Sequence, residues 1–163
     1  MIESGLYSWA VSNSALQPLL GQSDQDRAKK LFSAFYFSFL PKNSSRPAIV
    51  LDRLKSEDAD DTLDVRTAAP GTLIAGRFQF GSVAEDSPEN PANSSGYLSA
   101  ALLSQALRRQ LAGLATGNAV LPDGTLIKDV YEWDEYDAHY ELGGESYIYR
   151  RIQQVTIVFQ ETA

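Results

Sequence analysis

The chain has 163 residues, no cysteine and a formal net charge of −7 at pH 7. Without cysteine it can form no disulfide, thiolate nucleophile or zinc–thiolate site. The acidic balance disfavours wrapping of duplex DNA, which requires clustered Lys and Arg. The length is typical of one domain, and a hydrophobic fraction of 44% is that of an ordinary soluble globular protein.

No apolar run approaches the length that crosses a bilayer, and the first residues lack the basic start of a signal peptide. We therefore expect no membrane contact. The expected location is a reducing cytoplasm or a particle assembled there.

The first segment has helical periodicity. Ile2, Leu6, Trp9 and Ala10 recur at the spacing of one helix face, which predicts a helix that packs on the core. Ser14 is the expected N-cap of a short turn that follows.

Two strands are predicted next. Phe32–Leu40 is rich in aromatic residues and places Phe35 and Phe37 in one phase. Pro41–Pro47 is a turn cluster, after which Ala48–Arg53 is expected to return as the second strand.

An acidic, irregular segment follows at Lys55–Gly71. A calcium loop that starts at Asp58 would need Gly and Glu at its sixth and twelfth positions, where Leu63 and Ala69 stand. A solvated acidic loop is therefore predicted. Its carboxylates are Glu57, Asp58, Asp60, Asp61 and Asp64.

Thr72–Gly81 is the next predicted strand, and Gly96–Leu114 is the clearest helix. Leucines at helical spacing give that helix a stripe that should face the sheet. The stripe consists of Ala100, Leu103, Leu107, Leu111 and Leu114. Leu98 and Leu102 point to nearly the opposite side, and we expect the N-terminal helix or a neighbouring subunit to cover them.

The last third predicts two hairpins. Ala119–Ile127 should turn at Pro122–Gly124. Tyr131–Tyr140 and Tyr147–Gln160 should pair through a glycine turn, because the second alternates between apolar and polar residues. A chain that ends on a long strand is expected to offer a sheet edge or to pair with a partner.

The sequence carries no convincing catalytic pattern. His139 is the only histidine, and no nucleophile elbow accompanies it. We therefore predict a protein that is not an enzyme and that holds no metal or cofactor. The nearby acids are expected to form a charged outer hairpin face, neutralised by Arg150 and Arg151 across the hairpin. These acids are Glu132, Asp134, Glu135, Asp137 and Glu141.

The order of segments along nearly the whole chain resembles one known family. The matching stretches are Met1–Tyr7, Ala15–Gly21, Phe35–Phe37, Arg46–Leu51, Thr62–Asp64, Gly76–Phe80, Tyr97–Leu114, Asp134–Asp137 and Tyr149–Ile152. In this order they resemble the small phage and prophage tail-completion, or tail-terminator, proteins. The match lies in order and spacing, since none of the motifs is specific by itself.

The resemblance implies an α+β fold with two helices packed against a mainly antiparallel sheet. It implies a homo-oligomeric ring, expected to be a hexamer, that caps the head-proximal end of the tail tube. Its partners would be the major tail tube protein and the head–tail connector, with DNA passing through without specific binding. The ring would form in the host cytoplasm during assembly and remain in the virion tail.

Residues for such a ring can be suggested on this basis. Leu98, Leu102, Phe35 and Phe37 are the expected oligomer interface, and the acidic loop at 57–64 would line the channel. A different class stays open, in which a monomeric binding or accessory module pairs with its partner through the C-terminal strand.

Overall fold

The computed structural model describes residues 1–20, 35–37, 47–54, 71–85, 96–116, 119–142 and 146–161. Within these ranges the fold is α+β, as predicted, with two α-helices on a mainly antiparallel sheet. The elements in chain order are α1 (Ile2–Ser12), a 3₁₀ helix (Gln17–Leu19), β1 (Phe35–Phe37), β2 (Ala48–Leu54), β3 (Leu73–Glu85), α2 (Gly96–Leu114), β4 (Leu126–Leu142) and β5 (Ser146–Gln160).

The strands form one sheet in the order β1-β2-β3-β5-β4. Each neighbouring pair is antiparallel except β1 and β2, where Phe35 lies beside Ile49 and Phe37 beside Leu51 in parallel register. The prediction that the second strand returns antiparallel to the first was therefore wrong. Apolar alternation indicates a strand but carries no information about its direction, which depends on the pairing partner.

The C-terminal strand lies inside the sheet. β5 pairs with β3 from Ile148 to Gln160 on one side and with β4 over Ser146–Gln160 on the other. Its backbone is therefore occupied on both sides, which leaves the C-terminal strand no free edge along these pairings. The sheet edges are β1 and β4.

The core lies between α2 and one face of the sheet. The predicted stripe of α2, from Ala100 to Leu114, is buried as expected. Phe78 and Phe80 of β3 and the apolar phase of β5 supply the other side of this core. Arg77 and Gln79 alternate with the two phenylalanines and lie partly exposed, which confirms the predicted strand pattern.

α1 extends the core at the other end of the sheet. Ile2, Leu6 and Ala10 are buried, as the helical spacing predicted, and the ring of Tyr7 packs edge to face on Phe35 at 5.6 Å between centroids. None of the described helices is long and apolar enough to cross a membrane.

Two turns are defined by local hydrogen bonds. After α1, the side-chain Oδ1 of Asn13 accepts from the backbone N–H groups of Ala15 and Leu16 at 2.9 and 3.3 Å. Asn13, and not the predicted Ser14, thus caps this turn, because its amide oxygen is placed to form an Asx turn.

The small hairpin before β4 is confirmed. The N–H of Leu121 donates to the carbonyl of Thr125 at 2.8 Å, and Val120 bridges to Leu126. Gly124 takes a φ of 93°, which a side chain would resist.

Candidate assembly surface

The sheet edge β4 is irregular. Its register with β5 shifts between Ile127 and Asp129 and again between Tyr131 and Asp134. Within the second bulge Glu132 has a φ of 57°, rare for a residue with a side chain. Arg77 of β3 reaches across the sheet and donates to the carbonyl of Glu132, which holds the bulge in place.

The bulge places Trp133 against α2. Its ring packs on the main core, and the guanidinium carbon of Arg108 lies 5.3 Å from the ring centroid, a cation–π distance. Irregularity of this kind, together with charged side chains, protects an edge strand from pairing with other strands.

The hairpin acids divide between the two faces of the sheet. Asp134 lies opposite Gln154 on the face away from α2, and Glu135 lies opposite Gln153 on the face towards α2. The prediction of a single charged outer face was therefore wrong for Glu135 and also for Asp137, which lies opposite Arg151 on the face towards α2. The reason is that neighbouring residues of a strand point to opposite faces.

Glu135 is the centre of an ion-pair cluster. Its Oε1 accepts from Nε of Arg151 at 2.8 Å, and its Oε2 accepts from a guanidinium nitrogen of Arg108 at 3.0 Å. Asp137 lies 3.8 Å from Arg151 as a further counter-charge. The predicted neutralisation across the hairpin is thus confirmed for Arg151.

The cluster keeps Arg151 charged. The hydrogen bond to Glu135 raises the pKa of Arg151 above its ordinary value, and the two carboxylates add to this effect, while burial opposes it. Arg150 contributes nothing to this cluster, because its side chain lies on the opposite face of the sheet. There it packs over Gly81, where an added methyl group would come within 2.8 Å of Nε of Arg150. It forms no ion pair with any described residue.

A buried polar contact connects the same region to the middle of α2. The side-chain amide of Gln153 donates to the carbonyl oxygen of Ser104 at 2.6 Å and to its hydroxyl at 2.5 Å. Both residues are fully buried. The sequence contained a signal for this contact that our reading missed. Gln153 and Arg151 continue the apolar phase of β5, and polar residues at core-facing positions require buried partners.

A groove runs along the outer flank of α2 beside this cluster. Its volume is about 580 Å³, and we call it the α2 groove. Leu98 and Leu102 are 59% and 55% exposed, so the prediction that the N-terminal helix covers them was wrong. Asn13, which follows α1, donates to Gln110 of α2 at 3.1 Å, at a distance along the helix from both leucines. The groove is lined by Leu98, Ala101, Leu102, Gln105, Arg108, Arg109, Ala112, Glu135 and Arg151.

The α2 groove combines an apolar surface with positive charge. Among the described residues, its charged lining consists of three arginines and one glutamate, which leaves a cationic excess. Arg109 is exposed and forms no ion pair with any residue that the structure describes. Such a surface suits a partner that carries both apolar and acidic groups.

A second exposed surface lies on β4 and faces away from α2. Tyr131 and Tyr136 are 38% and 43% exposed, and Asp129 and Asp134 lie exposed beside them. The register places all four opposite the same face of β5. We call them the β4 patch. Neither aspartate pairs with a cation among the described residues.

The other two predicted interface residues differ in solvent exposure. Phe35 is buried in the core, whereas Phe37 is partly exposed on the edge strand β1 and contacts Tyr7. The predicted channel acids Glu57, Asp58, Asp60, Asp61 and Asp64 lie outside the described residues.

The described part of the chain assembles no recognisable catalytic or metal site. No group of three acidic or histidine side chains there is close enough to hold a metal ion. His139 lies in β4 opposite Tyr149, and its side chain lies outside the described part. Comparison with known proteins gives no further guidance, since no family model and no curated protein matches the chain.

Proposed function

We propose that this chain is a structural tail protein of a phage or prophage. It would form a ring on the head-proximal end of the tail tube, end tube polymerisation and offer the surface on which the head connector docks. The proposal rests on the order of segments that resembles tail-completion proteins, now joined by the α+β fold that the resemblance implies.

One structural observation carries the proposal further. The second apolar stripe of α2 stays exposed in the single chain and lines a groove of about 580 Å³. Exposed leucines in a contiguous surface are typical of interfaces. A protein that joins copies of itself into a ring needs such a surface, whereas an isolated subunit gains nothing from it.

The overall charge agrees with this role. A net charge of −7 gives the chain no tendency to bind DNA through phosphate neutralisation. A ring built from such subunits lets the genome pass without holding it.

The alternative of a monomeric accessory module has less support. Its expected attachment site, the C-terminal strand, is paired on both sides. The remaining long edge is β4, and its bulges and charged side chains oppose strand addition.

Site-specific labelling tests the proposal. Because the chain has no cysteine, Ser14→Cys introduces a single exposed thiol at which a gold cluster can be attached. The labelled protein is added to tubes of the major tail protein encoded by the same genome, and the tubes are imaged by electron microscopy. We expect gold at one end of each tube. Gold distributed along the walls, or absent from the tubes, would argue against the proposal.

A further inference from the structure

The α2 groove and the β4 patch are complementary in charge and chemistry. The groove offers exposed leucines with a cationic excess that includes Arg109, which has no ion pair within the described residues. The patch offers two exposed tyrosines with two aspartates that pair with no described cation. Aromatic rings that fill an apolar groove, with acids meeting arginines at its rim, form the usual anatomy of a specific interface.

The α2 groove and the β4 patch of one chain cannot contact each other. The β4 patch shares the sheet face of Gln154 and Thr156, whereas Glu135 and Arg151 of the groove lie on the opposite face, towards α2. The thickness of the sheet separates them. Neither surface therefore covers the other.

The difference between the two surfaces also determines which type of contact they can form between copies of the chain. When a surface binds a different surface on an identical copy, the contact is heterologous and repeats from copy to copy. Such contacts close into a ring or continue as a filament, depending on the angle between successive copies. The bulged edge of β4 opposes the competing arrangement, in which copies would join by strand pairing.

We infer that the β4 patch of one copy docks in the α2 groove of the next copy. The partner is a second copy of this chain, and the contact places Tyr131 and Tyr136 against Leu98 and Leu102, with Asp134 near Arg109. This inference deepens the proposed function and rests on it in one respect, namely that the chain assembles with itself.

Cysteine cross-linking tests the contact without background, because the natural chain has no thiol. The variant that carries both Leu102→Cys and Tyr136→Cys is treated with a short bis-maleimide, at high protein concentration and again on tail tubes. We expect a ladder of dimers, trimers and larger products. A mixture of the two single variants should stop at dimers, because each cross-link then uses one copy of each kind.

A charge exchange provides the matched control. Arg109→Glu and Asp134→Arg should each reduce cross-linking about tenfold or more, since like charges then face each other across the contact. The double variant should recover to within about threefold of the parent yield, because the opposite charges meet again with their positions exchanged. Both residues are exposed, and circular dichroism and urea unfolding check that each variant remains folded.

The outcomes separate this inference from the proposed function. A ladder together with tubes that stay uncapped would support the contact and refute the tail role. Capped tubes without a ladder under either condition would overturn the contact and leave the tail role standing. The contact is also overturned if Leu102→Cys alone cross-links to itself, which indicates a symmetric dimer, or if the groove cross-links only to the major tail protein.

Discussion

The substitution Leu107→Ala tests the packing of α2 on the sheet most sharply. Leu107 is fully buried in the core beneath the helix. The change removes three carbon atoms, which corresponds to about 2.4 kcal/mol at about 0.8 kcal/mol for each buried methylene. The cavity left in a tightly packed helix–sheet interface adds to this loss, so we expect a total of about 3–4 kcal/mol, within the usual range for buried leucines.

Leu102→Ala is the matched control, because it makes the same change in the same helix at a residue that is 55% exposed. Both substitutions change helix propensity equally, so the difference between them isolates burial. We expect the control to cost less than about 1 kcal/mol, since roughly half of its area is already in contact with water.

Urea unfolding, followed by circular dichroism at a protein concentration low enough to prevent assembly, measures both variants. With an m value of about 2 kcal/mol per molar, Leu107→Ala should lower the midpoint by about 1.5–2 M with m unchanged. If the two variants unfolded at midpoints within about 0.3 M of each other, Leu107 would not lie in the helix–sheet core and the assignment of the stripe would be refuted.

Two further pairs of substitutions probe other parts of the fold by the same unfolding measurement. Glu135→Ala should cost about 1–3 kcal/mol, because it leaves Arg108 and Arg151 without their shared acceptor, whereas Asp134→Ala on the opposite face should cost less than about 0.5 kcal/mol. Equal effects would show that the ion-pair cluster does not stabilise the fold. Gly113→Ala should stabilise by about 0.5–1 kcal/mol, because the helix there has open space around it. Gly5→Ala should destabilise instead, because its new methyl group would overlap the Asp123 carboxylate, and a gain in stability at this position would contradict the close approach of α1 to that turn.

Local patterns predicted much of this fold. The helix Gly96–Leu114 has the bounds that the sequence suggested, and its leucine stripe is the buried one. The alternation of Val155, Ile157 and Phe159 correctly predicted a half-buried strand and, with its neighbour, a hairpin. These features depend on residues close together in sequence, whose spacing reports directly on helix or strand geometry.

The arrangement of strands was not predictable in the same way. The parallel direction of β1 and the central place of β5 depend on pairings between residues far apart in sequence. The candidate site was missed for a related reason. Glu135 meets Arg108 only because the bulges in β4 and the position of α2 bring them together. From sequence alone, Glu135 was one of five acids in an alternating segment.

The predicted interface residues show the same contrast between local pattern, which the sequence reveals, and tertiary arrangement, which it does not. Helical spacing showed that Leu98 and Leu102 form a second apolar side, and the structure leaves them exposed. Which element covers that side is a question of tertiary arrangement, and the expectation that α1 does so was wrong. Phe35 and Phe37 share a phase on β1, yet only Phe37 has substantial exposed surface, because Phe35 belongs to the buried core cluster and Phe37 does not.

The length of tail tubes assembled in the presence of this protein tests the central claim most directly. Purified major tail protein is polymerised with increasing amounts of this chain, and tube lengths are measured by electron microscopy, with Leu102→Asp as the assembly-defective control. The account predicts that mean length falls as the amount of the parent protein rises and that the variant has no such effect. Tubes of unrestricted length with uncapped ends, at saturating concentrations of a well-folded parent protein, would contradict the role in tail completion.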